Sequence, residues 1–98
     1  MKTSRLTSAQ IRAARALLRW SAVDLAEAAS VAANTIRRAE VADGATTLTS
    51  ANDLAIRRAF EQEGVDFIDE NGGGAGVRFR KSAPYGHFRR AGRRPGHV

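Results

Sequence analysis

Four side chains between positions 34 and 41 have the types and spacing that suit reading a nucleic-acid groove. If Ile36 and Ala39 face a core, a rotation of about 100° per residue turns Asn34, Arg37, Arg38 and Val41 outward. An arginine fork matches guanine O6 and N7, and an asparagine amide matches adenine N6 and N7. A solvated helix face carries the same residue types, so this stripe alone does not separate the two readings. Arg15 adds a second constraint. It shares a helical stripe with Ile11 and Leu18, and a guanidinium turned toward a core must be paired and hydrogen-bonded. Glu40, beside Ile36, is the natural partner. A two-pronged Arg15–Glu40 bridge would tie the first helix to the third and fix its angle. In the alternative, both side chains reach past the stripe into water.

These residues need short helices to position them. Thr7 and Gln10 have capping-box spacing, which predicts a first helix to about Arg19 with Ile11, Ala14 and Leu18 inward and Leu17 alongside. Ser21 caps a second helix over Ala22 to Ala29, with Asp24 at its third position favourable to the helix dipole. Leu25 and the small Ala26 face inward, which lets a following helix dock closely. Ser30 and Val31 form the break, a residue tolerant of unusual φ followed by an apolar plug. A third helix runs from Ala33 to Val41, and Asp43-Gly44 is a stop signal. Thr49 or Ser50 caps a fourth helix with Ile56, Ala59 and Phe60 inside, ending near Gly64. Beyond it, Val65 to Asp69 and Val77 to Arg80 read as strands of a hairpin around the glycine-rich segment 70–76. Val77 and Phe79 share one hairpin face, Arg78 and Arg80 the other.

Composition bounds the remaining possibilities. The 98 residues make one domain, and 43% apolar content gives a small core that a dimer partner could supplement. No cysteine is present, which excludes disulfides, thiolate metal sites and a cysteine nucleophile, and suits a reducing compartment. The net charge of +6 is uneven. Up to Val77, nine Lys or Arg face ten acids, and from Arg78 onward there are seven basic residues and no acid. A basic tail suggests a polyanionic partner, nucleic acid or an anionic membrane surface. The membrane is disfavoured, because no apolar run spans a bilayer and no helix pairs a basic face with a broad apolar one. The first 23 residues lack acids and carry five basic side chains, a bias shared by transit peptides, but they belong to the folded pattern just described.

Arg15, the segment Ser21-Ala22-Val23-Asp24-Leu25-Ala26-Glu27-Ala28-Ala29 and the segment Val31-Ala32-Ala33-Asn34-Thr35-Ile36-Arg37-Arg38-Ala39-Glu40 together resemble the λ-repressor/Cro-type (XRE-family) helix-turn-helix, over residues 7–63. The resemblance implies an all-α domain of four or five helices that binds operator DNA, usually as a homodimer. It also implies a transcriptional regulator, a repressor acting by occlusion, in the bacterial cytoplasm at the nucleoid. Carried onto this chain, base contacts fall on Ala33, Asn34 and Arg38. Phosphate contacts fall on Ser21, Ala22 and Arg37, and Arg15 and Glu40 form the buried ion pair. Three residues depart from the pattern. Ala22 stands where a phosphate-binding Gln is common, Ser30 replaces the turn Gly, and Ala39 replaces a larger aliphatic. The last two predict a strained turn and a thinner core.

The expected layout is an N-terminal arm over 1–6, the helical domain over 7–64, a β-hairpin over 65–81 and a disordered basic tail over 82–98. Arg89, Arg90, Arg93 and Arg94 flank Phe88 and form a candidate DNA arm, or merely a solubilising terminus. The hairpin edge either pairs with a second copy or simply packs on the fourth helix. Segment 71–76 matches no phosphate-loop spacing and reads as a turn. His87 and His97 stand apart from acids and nucleophiles, so no enzyme, metal or cofactor is expected. Two rival functions remain: an antitoxin-like module that binds a toxin-like partner as well as its own operator, and a non-specific nucleic-acid binder driven by the tail. Deleting 82–98 abolishes binding only under the second.

Overall fold

The computed structural model describes residues 5–43 and 46–80. Among them the chain is mostly helical, with four helices followed by a two-stranded antiparallel hairpin. Helix α1 (Ser8–Leu18) opens on a reciprocal cap. The Thr7 hydroxyl accepts the Gln10 N–H at 3.1 Å, and the Gln10 carbonyl Oε1 accepts the Thr7 N–H at 3.0 Å. Helix α2 (Ala22–Ala29) opens the same way, through Ser21 and Asp24.

Both helices end without glycine. Arg19 (φ 59°) and Ser30 (φ 58°) take the left-handed conformation. Each is followed by an apolar residue, Trp20 or Val31, whose N–H returns to the carbonyl five residues back and whose side chain is buried. A left-handed non-glycine residue costs about 1–2 kcal/mol, offset here by the burial of the next side chain. The strain anticipated at Ser30 is therefore present, and Arg19 repeats it one helix earlier; α1 ends at Leu18, not Arg19.

Helix α3 (Ala33–Val41) has no side-chain cap, because Ala32 stands at its N-cap, and extended Ala42 ends it. Helix α4 (Ser50–Glu61) is capped by Thr49, whose hydroxyl accepts the Asn52 N–H at 3.1 Å. Its buried face carries Ile56, Ala59 and Phe60. Gly64 (φ 91°) turns the chain into β1 (Val65–Ile68), which pairs with β2 (Gly76–Phe79) from Val65 opposite Phe79 to Ile68 opposite Gly76. The strands thus stop short of Asp69 and Arg80. Asp69 is exposed, whereas Gly76 is drawn into the ladder opposite Ile68.

Ile11, Leu25, Ile36, Ile56 and Phe60 are completely buried where the four helices converge. Phe60 is the pivot between helices and hairpin. It stacks on Trp20 with centroids 5.6 Å apart and meets the Phe67 edge at 5.8 Å. Phe67, Val77 and Phe79 pack against this core, while Arg78 faces outward. Arg5 and Leu6, which the sequence reading assigns to an arm, are docked on the body. Leu6 is fully buried with its N–H donated to Asp53 Oδ1 at 3.1 Å, and Arg5 reaches Ser50 Oγ at 3.2 Å and the Leu48 carbonyl.

One side chain locks the hairpin onto α1. The buried Gln10 amide donates to the Ile68 carbonyl at 3.2 Å and to the Gly76 carbonyl at 3.0 Å. Gln10→Ala removes both donors and half of the α1 cap. The expected destabilisation is about 1–3 kcal/mol, read from urea unfolding, with the hairpin amides gaining hydrogen exchange before those of α2.

Candidate functional site

Helix α3 presents two chemically different sides. Outward, Asn34, Arg37 and Arg38 are exposed, and Val41 is 81% exposed. Inward, Ile36 is fully buried, with Ala39 and Glu40 beside it, and Ala33 sits half-buried at the first position. Of the residues expected to touch bases, Asn34 and Arg38 therefore share the open side, while Ala33 lies at its margin. The hairpin packs on α1 and α4.

The inner side is held by α1. Glu40 receives Arg15 Nε at 2.6 Å on Oε2 and Nη2 at 2.8 Å on Oε1, a two-pronged bridge. Arg15 Nη1 also donates to the Trp20 carbonyl at 2.8 Å, so each of its three nitrogens has an acceptor. Arg12 donates to the Glu40 carbonyl, and Ser8 Oγ donates to the Ala42 carbonyl at 2.6 Å. The bonds from Ser8, Arg12 and Arg15 to Glu40 and Ala42 all reach the C-terminal end of α3, so its angle to α1 is set by hydrogen bonds as well as packing. The bond to Glu40 raises the Arg15 pKa above its ordinary value; burial opposes this, and the negative charges of Glu40 and Asp24 reinforce it. A raised pKa on a base contributes stability that is complete below the unfolded value and lost only above the folded one. On the arginine side, the clasp is therefore at full strength throughout the neutral range.

The N-terminus of α2 has a different character. The Ser21 hydroxyl accepts the Asp24 N–H at 3.0 Å, and the Asp24 carboxylate accepts the Ser21 N–H at 2.9 Å. The Ala22 side chain is half-buried against the core. A contact here with an anion therefore falls to the first-turn amides of Ala22 and Val23, which helix geometry leaves without an acceptor four residues back. Asp24 opposes that contact with its own charge.

Arg38 has neighbours that the sequence spacing did not reveal. With Thr35, Ala39, Thr47, Leu48, Thr49 and Asn52 it lines a cleft of about 220 Å³ between α3 and the start of α4. The hydroxyl-rich run Thr46-Thr47-Leu48-Thr49 was the available signal, read only for its cap. Arg38 thus stands between the open side of α3 and the N-terminal end of α4, and its guanidinium can serve either a base edge or an anion at that end.

Arg89, Arg90, Arg93 and Arg94 lie outside the described residues, as do Gly44, both histidines and most of the expected arm. Among the described residues, no three His, Cys, Asp or Glu gather as a metal site, and no helix is long and apolar enough to cross a membrane. No protein-family model matches the chain, and no curated protein matches it significantly.

Proposed function

We propose that the chain is a sequence-specific DNA-binding regulator whose α2–α3 pair acts as a helix-turn-helix and whose α3 reads the major groove. The observation that carries this reading is the division of α3. Arg15 and Glu40 consume the buried charge on its inner side, while Asn34, Arg37 and Arg38 stay exposed on the other. A nine-residue helix with this outer chemistry is suited to a groove about 12 Å wide, and its left-handed Ser30 entry allows the close α2–α3 approach that such a unit needs. Asn34 and Arg38 read base edges. Arg37 and the first-turn amides of α2 hold phosphates, which position the protein without reading sequence. The chain works as a homodimer on double-stranded DNA, with two copies of α3 entering successive turns, and represses by occlusion.

Selection of bound duplexes from a random pool tests this directly. The expected product is a palindrome whose half-sites lie about 34 Å apart. Arg38→Ala is expected to weaken binding to that site by about 1–3 kcal/mol and to relax selectivity at one base position. Equal loss on every duplex assigns Arg38 to phosphate alone, a role its seat beside the α4 N-terminus also permits. A pool that emerges without any enriched sequence sinks the specific reading.

A further inference from the structure

We propose that Asn71 is a site of spontaneous covalent modification, at which the hairpin loop converts its own asparagine to aspartate and isoaspartate through a cyclic imide. The inference is independent of DNA binding.

Residues 69–75 form the exposed tip between β1 and β2, and three hydrogen bonds arrange it. The Glu70 carboxylate oxygen Oε2 accepts the N–H of Gly72 at 3.2 Å and that of Gly74 at 3.3 Å. The Asn71 carbonyl Oδ1 accepts the N–H of Gly73 at 3.3 Å. Imide formation needs the backbone nitrogen following an asparagine to attack the side-chain Cγ. Here that nitrogen belongs to Gly72, which has no side chain to obstruct the approach, and whose Cβ position opens onto empty space. Its proton already points at a carboxylate. The Gly73 N–H is in place to stabilise the negative charge that develops on Oδ1 as Cγ becomes tetrahedral.

The bond changes balance without a further reagent until water enters. Gly72 N bonds to Asn71 Cγ while its proton passes to Glu70. The Cγ–Nδ2 bond breaks, and Glu70 returns the proton to Nδ2, which departs as ammonia. Water then opens the imide. Cleavage of the new N–Cγ bond restores an ordinary backbone with aspartate at 71. Cleavage at the original peptide carbonyl leaves isoaspartate, with one extra carbon in the main chain.

The other two described asparagines lack this arrangement. Asn34 is followed by Thr35, whose N–H is committed to the Ala32 carbonyl at 3.0 Å. Asn52 is followed by Asp53, whose N–H is committed to the Thr49 carbonyl at 2.9 Å. Both following residues carry side chains, both amides sit in helical hydrogen bonds, and neither faces a base. The reaction is therefore specific to the loop.

The full chain is incubated folded at mildly alkaline pH, beside the same chain unfolded in urea, and both are sampled by peptide mass mapping. The expected result is an Asn71 peptide that splits into aspartyl and isoaspartyl products, faster in the folded chain than in the unfolded one. The Asn34 and Asn52 peptides of the folded chain stay unchanged over the same period. Glu70→Gln is expected to slow the Asn71 conversion severalfold in a chain whose far-ultraviolet circular dichroism matches the parent. A folded chain that reacts no faster than the unfolded one overturns the proposal, as does an E70Q chain that reacts at the parental rate.

Discussion

Arg15→Ala is expected to destabilise the fold by about 3–5 kcal/mol, because it strands the Glu40 carboxylate in a place where little water reaches it. The Glu40 side chain is 9% exposed and the Arg15 side chain 24%, so neither charge recovers its full hydration when the partner is lost. The substitution also removes the donor to the Trp20 carbonyl, at the left-handed end of α1. Urea unfolding monitored through Trp20 gives the magnitude. The control is the double replacement Arg15→Met with Glu40→Leu. Apolar side chains in place of a buried pair are commonly neutral or stabilising, so the double variant is expected to recover most of what the single one loses. Should Arg15→Ala melt with the parent, the clasp contributes nothing to stability, and its part in fixing α3 must be dropped.

Phe60→Ala is expected to cost about 3–5 kcal/mol, the range for truncating a fully buried phenylalanine and leaving a cavity behind. The ring is completely buried and touches aromatic partners in both directions, Trp20 in the link between α1 and α2 and Phe67 on β1. Its removal therefore weakens the α-helical core and frees the inner face of the hairpin. Phe67→Leu is the informative companion. Phe67 is only half-buried, with the Arg57 guanidinium 5.2 Å from its ring centroid, so its loss is expected to fall well below that of Phe60. Comparable losses for the two would place the pivot of the core on β1 instead.

Much of the architecture was legible because it rests on local rules. The hydroxyl-and-amide pair Thr7–Gln10 and the pair Ser21–Asp24 announce two helix starts, and each forms both of its reciprocal bonds. The stripe of Ile11, Ala14 and Leu18 is buried as its spacing requires. Arg15 and Glu40 were legible as a pair because a cation on an apolar stripe demands an acid, and only one acid borders the inner side of α3. What escaped was contact between elements distant in sequence. Gln10 read as a cap, but its second task, on strands 58 and 66 residues away, follows from where the hairpin lands rather than from any local spacing. Arg5 and Leu6 read as an arm because nothing near them in the chain says that Asp53 and Leu48 wait to receive them. The cleft beside Arg38 depends likewise on how the segment before α4 folds back on α3.

The bonds of Gln10 carry a consequence for how the chain comes to be made. Synthesis delivers α1 before the hairpin, yet the carbonyls that finish satisfying the Gln10 amide belong to Ile68 and Gly76, near the end of the described residues. A nascent chain halted after α4 holds all four helices and still has an open latch at its beginning. Closure around α1 therefore waits on β1 and β2, which couples the first described helix to the last described strand and slows assembly relative to a bundle held by neighbouring contacts alone.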